Sequence, residues 1–321
     1  MKRTTKIALV LVVLGAILIG IGWWNHGDKA VVWSHDSRSF RVVQRSKLSY
    51  QPGAYDKIVV DAQAPVTIKA GNTDRVTASY LDNTQGRPTA TVSKGTLMVR
   101  GGRTTKQMSQ TVVGFSDDDY TNGGVLITVP RNKHLTSIDI KRENSGVSLR
   151  DLTVKQVNVK SSDDISLMNL TVQKGVTAAS SDGDVWASQV KANRLQVKAA
   201  DGDIGISNSR LAATNNQLTA TDGDVRVSET KLGGGHLATA DGDVHLQNNR
   251  LTKTLTASTD DGDINAHIAK TAGAKVVVKD ADMGDIKVKG HARRSGYWLH
   301  PNATSQYKLT TADGDVTVGT D

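Results

Sequence analysis

No cysteine occurs among the 321 residues. That excludes disulfides, thiolate metal sites and a cysteine nucleophile, and leaves packing alone to stabilise any exported domain. Aromatic residues amount to 4%, so Tyr297, Trp298 and Tyr307 form a local concentration near the C-terminus. Sustained helical periodicity is missing outside one N-terminal stretch. None of the eight histidines forms a His-Glu-x-x-His pair, and no Gly-x-Ser-x-Gly elbow exists, so the zinc-hydrolase and serine-hydrolase signatures are both missing. Helix-turn-helix, RNP and zinc-finger patterns are also absent, and no nucleic-acid partner is expected. The sequence offers no catalytic residue and calls for no cofactor.

Charge is missing as well from Ile7 to Trp24, a run reading IALVLVVLGAILIGIGWW. Its 18 residues would make a helix of about 27 Å, close to the roughly 30 Å of bilayer hydrocarbon. Lys2, Arg3 and Lys6 precede it and Trp23 and Trp24 close it. The expectation is a single-pass anchor in the cell membrane, with residues 1–6 as a cytoplasmic basic tail, 7–24 as the span, and the rest outside the cell. A cleaved signal peptide is the competing reading, but the run is longer than a usual apolar core and Asn25-His26-Gly27-Asp28 offers no small-x-small cleavage site. Neither LPxTG nor a lipobox is present.

The formal charge of +8 is uneven: residues 136–321 hold 22 basic and 23 acidic side chains, leaving 18 basic and 9 acidic for residues 1–135. Residues 25–48 read as a juxtamembrane spacer. Its Arg38, Arg41, Arg45 and Lys47 either meet anionic headgroups or wall polymers, or form a solvated stalk.

The most abundant signal is a repeat. Asp-Gly-Asp followed by Val or Ile stands at Asp182-Gly183-Asp184, Asp201-Gly202-Asp203, Asp222-Gly223-Asp224, Asp241-Gly242-Asp243, Asp261-Gly262-Asp263 and Asp313-Gly314-Asp315. Weaker copies surround Val147, Ile165 and Ile286. The steps from Val147 to Val316 are 18, 20, 19, 21, 19, 20, 22 and 30 residues. A unit this short cannot bury its own core and must stack on its neighbours. Around each turn the apolar residues alternate with period two, as in Ile204 and Ile206 or Leu195, Val197 and Ala199, which marks strands with one buried face. The position two before the first Asp is small in nearly every copy (Ser161, Ser180, Ala199, Ala220, Thr239, Thr259, Thr311), as a tight corner requires. Asp suits that corner by bonding its own backbone two residues on, and Gly by accepting positive φ. The predicted fold is all-β: a parallel β-solenoid (β-helix) of about nine coils of roughly 20 residues, a rod of about 40 Å at 4.8 Å per coil. Residues 136–321 carry the repeats, 49–135 an N-terminal β segment and cap, and 287–308 a C-terminal aromatic insertion.

Stacking turns the repeat into columns. Asp182, Asp184, Asp201, Asp203, Asp222, Asp224, Asp241, Asp243, Asp261 and Asp263 become a double carboxylate edge, which raises a Ca²⁺ column as a hypothesis. Structural Asx-type turns are preferred, because neither the EF-hand loop nor the glycine-rich calcium nonapeptide is present. Seven residues after the second Asp comes a basic residue in register: Lys191, Arg210, Lys231, Arg250 and Lys270. This column, with Tyr297, Trp298 and Tyr307, supplies the candidate partner-binding residues. The aromatic segment reads either as a cap or as a contact surface.

Val125-Leu126-Ile127-Thr128-Val129-Pro130, Leu135, Ile138 and the Gly-Asp-Val/Ile series together resemble a known bacterial group, the "putative adhesin" domain of unknown function, a β-strand-repeat family of envelope proteins. The resemblance spans about Tyr55 to Val318. It implies a β-solenoid at the cell surface or in the envelope, adhesin-like or associated with envelope stress, and it brings no catalytic residues. The bare anchor and the Thr, Asn and Gln content point to a Gram-positive source. The expected function is a noncatalytic, membrane-anchored, extracytoplasmic binding or scaffold module whose partner is an anionic cell-wall polymer or an envelope protein. The alternative is a polysaccharide-acting β-helix lyase or hydrolase, for which Asp163-Asp164 and Asp260-Asp261 are paired carboxylates. These follow the repeat, whereas a catalytic residue should break it.

Overall fold

A computed structural model describes residues 3–24, 31–34, 39–42, 45–81, 87–101, 112–113, 124–141, 146–280 and 284–320. Helix α1 covers Arg3–Trp24. Among the described residues no helix is long and apolar enough to cross a membrane. Lys2 and Arg38 lie outside the described residues.

All else described is β-structure and turns, arranged in two long sheets of 14 and 16 strands and a small antiparallel one. The first, sheet I, has at its centre the four-residue strands that follow the Asp-Gly-Asp turns: Val185–Ser188, Ile204–Ser207, Val225–Ser228 and Val244–Gln247 pair in parallel, in register, one on the next. Sheet II holds the strands that precede the turns, such as Thr171–Ser180 and Lys191–Ala199. Period-two alternation puts Val185, Ile204, Val225, Val244, Ile264 and Val316 between the sheets, each 0% exposed, while Arg226 and Asn265 face water. The expected parallel solenoid is present, with the aliphatic residues inside.

Six successive layers, from Val147–Arg150 to Val244–Gln247, share a second corner that the repeat did not announce. Asp151, Asn169, Gln189, Asn208, Glu229 and Asn248 all take φ between 49° and 58°, the left-handed conformation that costs an L-residue roughly 1–2 kcal/mol and that Asn tolerates best. Behind this corner the inward residue changes from Leu152, Leu170 and Val190 to the buried polar Ser209, Thr230 and Asn249. Their side chains accept the amides of the preceding layer: Val190 N–H to Ser209 Oγ (3.0 Å), Ser209 N–H to Thr230 Oγ1 (3.2 Å) and Thr230 N–H to Asn249 Oδ1 (3.0 Å).

The stack contains eleven parallel layers in each sheet, not nine, because the chain fills both ends out of order. At the N-terminal end, Lys57–Ala62 and Val66–Gly71 form the second layer. Thr96–Gly101 and Val125–Pro130 then form the outermost one, and Leu135–Ile140 returns to the inner side of the second. At the C-terminal end, Gly273–Val278 and Ile286–Val288 form the last layer. Gln306–Asp313 and Val316–Thr320 slip between it and the layer of Thr254–Asp261 and Ile264–Ile268. The segment expected as the aromatic insertion, 287–308, thus joins two further layers, built by residues 273–288 and 306–320.

Antiparallel strands close both ends. Thr89–Ser93 lines Thr96–Gly101, while Arg75–Leu81 and then Arg45–Tyr50 extend sheet I. The region expected as a spacer therefore contributes strands: Arg45–Tyr50, and Val31–Ser34 paired with Ser39–Val42. At the other end Trp298–Leu299 lines Gly273–Val278 and His291–Arg293 lines Ile286–Val288. These two short strands cover the outer edges of the last layer, where an unpaired edge strand would invite further pairing.

Candidate functional site

The second carboxylate of each turn has a specific partner. Asp164 Oδ1 accepts the Asp184 N–H (2.9 Å), Asp184 that of Asp203, and the chain continues through Asp224, Asp243, Asp263, Asp315 and Asp285 at 2.7–2.8 Å. The Asp bonds not its own turn, as expected from sequence, but the amide one layer on. A charge-assisted bond of this kind is stronger than a neutral one and offsets the repulsion along the column. The outer oxygen meets the side chain two residues later or the next layer: Arg226 bonds Asp203 Oδ2 (3.1 Å) and Asp224 Oδ2 (2.5 Å), His245 Nε2 stands 3.7 Å from Asp243 Oδ2, and Trp186 Nε1 donates to Asp184 Oδ2 (3.4 Å). The first carboxylates, Asp182, Asp201, Asp222, Asp241 and Asp261, are exposed. Among the described residues no group of three or more His, Asp or Glu could hold a metal ion.

The glycines of the turns are required by contact, not by φ. A Cβ on Gly202, Gly223, Gly242 or Gly262 would lie 2.2–2.4 Å from the carbonyl oxygen of the glycine one layer before. Only Gly314 among the Asp-Gly-Asp glycines has φ in the left-handed half, at 142°. The small buried residue two before the turn completes the corner: Thr239, Thr259 and Thr311 donate their hydroxyls to the Gly223, Gly242 and Gly262 carbonyls at 2.7–2.9 Å.

The basic column forms in part. Lys191, Arg210, Lys231 and Arg250 pair directly, layer on layer, and all four are exposed. Among the described residues none of them makes an ion pair. Lys270 is not on this column: it sits in the turn between Ile268 and Gly273, where the chain leaves the regular stack to build the last layer. Beside the head of the column, a bulge between Val172 and Gly175 opens a groove of about 410 Å³ whose lining includes the exposed Lys174 and Arg194.

The aromatic candidates separate. Tyr307 is 1% exposed, packed inside the inserted layer opposite Leu255 and Ala274, and cannot meet a partner. Burial holds its hydroxyl protonated well above the ordinary tyrosine range. Tyr297 is half-buried under Arg293, at 5.0 Å. Trp298 remains exposed, with Lys275 5.5 Å from its ring and Nε1 donating to Gln306 Oε1 (3.2 Å). Sequence reasoning gave no role to Tyr55, whose hydroxyl donates to Asp74 Oδ1 (2.7 Å) while Lys133 bonds the same carboxylate (2.5 Å) and lies 3.2 Å from the Tyr55 ring. Burial first, then the Asp74 hydrogen bond and charge, keep Tyr55 protonated far above its usual range. This cluster clamps the first layers together.

No functionally curated protein matches the sequence. Solved structures with similar folds include a protein described as a "putative adhesin" from Bacteroides fragilis (12% identity, 86% of this chain and 97% of that one, TM-score 0.40). Others are one described as a "putative lipid binding protein" from Parabacteroides distasonis (13%, 85% and 96%, 0.49) and a "putative adhesin" from the same species (13%, 87% and 97%, 0.43). The resemblance read from the strand-Pro motif and the Gly-Asp series holds over residues 55–319, and the chain belongs to the Toastrack DUF4097 family.

Proposed function

We propose that this protein is a noncatalytic binding module of the bacterial envelope, anchored by Ile7–Trp24 with the solenoid outside the cell, adhesin-like in use, and directed at an extended anionic wall polymer. The observation that carries this reading is the row Lys191, Arg210, Lys231 and Arg250, exposed and in register on successive layers. Charges repeated at about 4.8 Å suit a linear polyanion better than a compact ligand. Lys174 and Arg194 beside the groove extend the same surface.

The test is binding of the full-length chain to poly(glycerol phosphate) across a salt series. Binding should weaken as salt rises, because exposed charges are screened beyond about 8–10 Å. Charge reversal at Arg210, Lys231 and Arg250 together should abolish it without moving the unfolding midpoint. Salt-independent binding, or full binding by the triple variant, refutes the polymer reading. Protease added to intact protoplasts should digest the repeats and leave a membrane stub; protection of the repeats refutes the topology.

A further inference from the structure

Apart from helix α1, three large apolar side chains are exposed among the described residues: Met168, Trp186 and Trp298. Two of them share the outer face of sheet I on adjacent layers, since Ile165–Met168 pairs with Val185–Ser188. Trp186 is 45% exposed. The row on which it stands reads Ser166, Trp186, Gly205, Arg226, His245 and Asn265. Gly205 is an outward position inside a strand, where glycine packs nothing and weakens the element, yet it is buried. The reason is the indole. A Cβ on Gly205 would fall 2.0 Å from Trp186 Cζ3 and 2.1 Å from Cε3, so the six-membered ring lies down over the next layer in the space that a side chain would occupy. The Nε1–H donates to Asp184 Oδ2 on the ring's own strand turn (3.4 Å), fixing the other end. Beyond Gly205, Arg226 is held by Asp203 and Asp224.

The geometry points to a carbohydrate platform on this face, taking an uncharged β-linked glycan whose pyranose C–H face stacks on Trp186. An aromatic ring that is laid flat before any ligand arrives loses little side-chain entropy on binding. The surroundings select the class. One guanidinium is shared between two carboxylates, so the flank is not cationic and does not attract a polyanion. Arg226 and the hydroxyls of Ser188 and Ser207, which pair on adjacent layers of the same face, offer donors and acceptors within one or two residue positions of the Trp186 row. A sugar presents that combination: an apolar face bordered by hydroxyls. The platform is separate from the basic column, which lies on sheet II, and the two surfaces can be tested independently.

The experiment is titration of the full-length protein with N-acetylglucosamine hexasaccharide and with cellohexaose, followed calorimetrically. The wild type should bind at least one of them. Trp186→Ala should lower affinity at least tenfold, and Trp186→Tyr should restore part of it. Gly205→Val should lower it similarly with Trp186 still present, because the new side chain lifts the ring, and β-branched residues are well tolerated in strands. Trp298→Ala and the triple charge reversal should leave it unchanged. Equal binding by Trp186→Ala and the wild type, or no binding of either saccharide by the wild type, overturns the proposal. Loss of binding in Trp298→Ala with Trp186→Ala unaffected would move the site to the C-terminal cap and overturn it as well.

Discussion

Gly223 and Asp224 are neighbours in the repeat but obey different constraints, and substitution separates them. A methyl group on Gly223 meets the Gly202 carbonyl oxygen at 2.2 Å, backbone that cannot yield alone, so Gly223→Ala should cost at least the ~1–3 kcal/mol typical of overpacking. Asp224→Asn keeps an oxygen for the Asp243 amide and should cost less than ~1 kcal/mol, whereas Asp224→Ala strands that amide at ~1–3 kcal/mol. Chemical denaturation ranks the three, and a Gly223→Ala variant no weaker than Asp224→Asn would contradict the stacked-glycine account. The tyrosines give a pH test. Tyr55 and Tyr307 have folded-state pKa values above the ordinary 10.0, so the unfolded chain loses these protons first. Their contribution is intact below about pH 10 and falls as pH rises above it. Stability should therefore decline above pH 10, with tyrosinate absorbance appearing for these two residues only on unfolding, and less steeply in Tyr307→Phe. The importance of Asp and Gly was plain from recurrence, but not their task. The contacts that use them join residues 19–21 apart in sequence, beyond what local turn chemistry can express.

Among the elements, the inserted strand Gln306–Asp313 joins two strands that precede it in the chain, pairing with Thr254–Asp261 on one side and with Gly273–Val278 on the other. Deleting residues 306–321 removes one layer and strips the last one of its only parallel neighbours. Amide exchange in Gly273–Val278 and Ile286–Val288 should then rise to that of an open segment, while Ile204–Ser207 stays protected. Protection that persists in the last layer would mean that it can dock directly on Thr254–Asp261. Sequence spacing could not show this insertion, since a repeat of 18–22 residues encodes only which strands are alike, not the order in which they stack. Two signals were present. The final interval is 30 residues, and Tyr307, Leu309 and Thr311 alternate in the same register as Leu255, Ala257 and Thr259, which assigns Tyr307 to the core and not to a surface. The αL corner left a fainter trace: Asn169, Asn208 and Asn248 recur there, but Gln189 and Glu229 take the same φ and hide the pattern.

At the scale of the whole molecule, eleven layers make a rod of about 50 Å, with the carboxylate ladder on one corner and the cationic row on sheet II. Stability in such a rod is approximately a sum over layers and their interfaces. Its central layers follow chain order and its terminal ones do not, and this governs how the protein can change length. A duplicated unit near either end would compete with a strand that already threads backwards into its slot. In the middle, each layer ends as the next begins, so a second copy of Ile204–Asp224 placed after Asp224 should fold as a twelfth layer, extend the Asp ladder by one rung and lengthen the rod by about 4.8 Å. Small-angle scattering would register the extension, and an aggregated or unfolded product would show that the stack is closed to insertion. The two reversed ends thus act as bookends around an extensible interior, and the length of the rod becomes a quantity that tandem duplication can set one layer at a time.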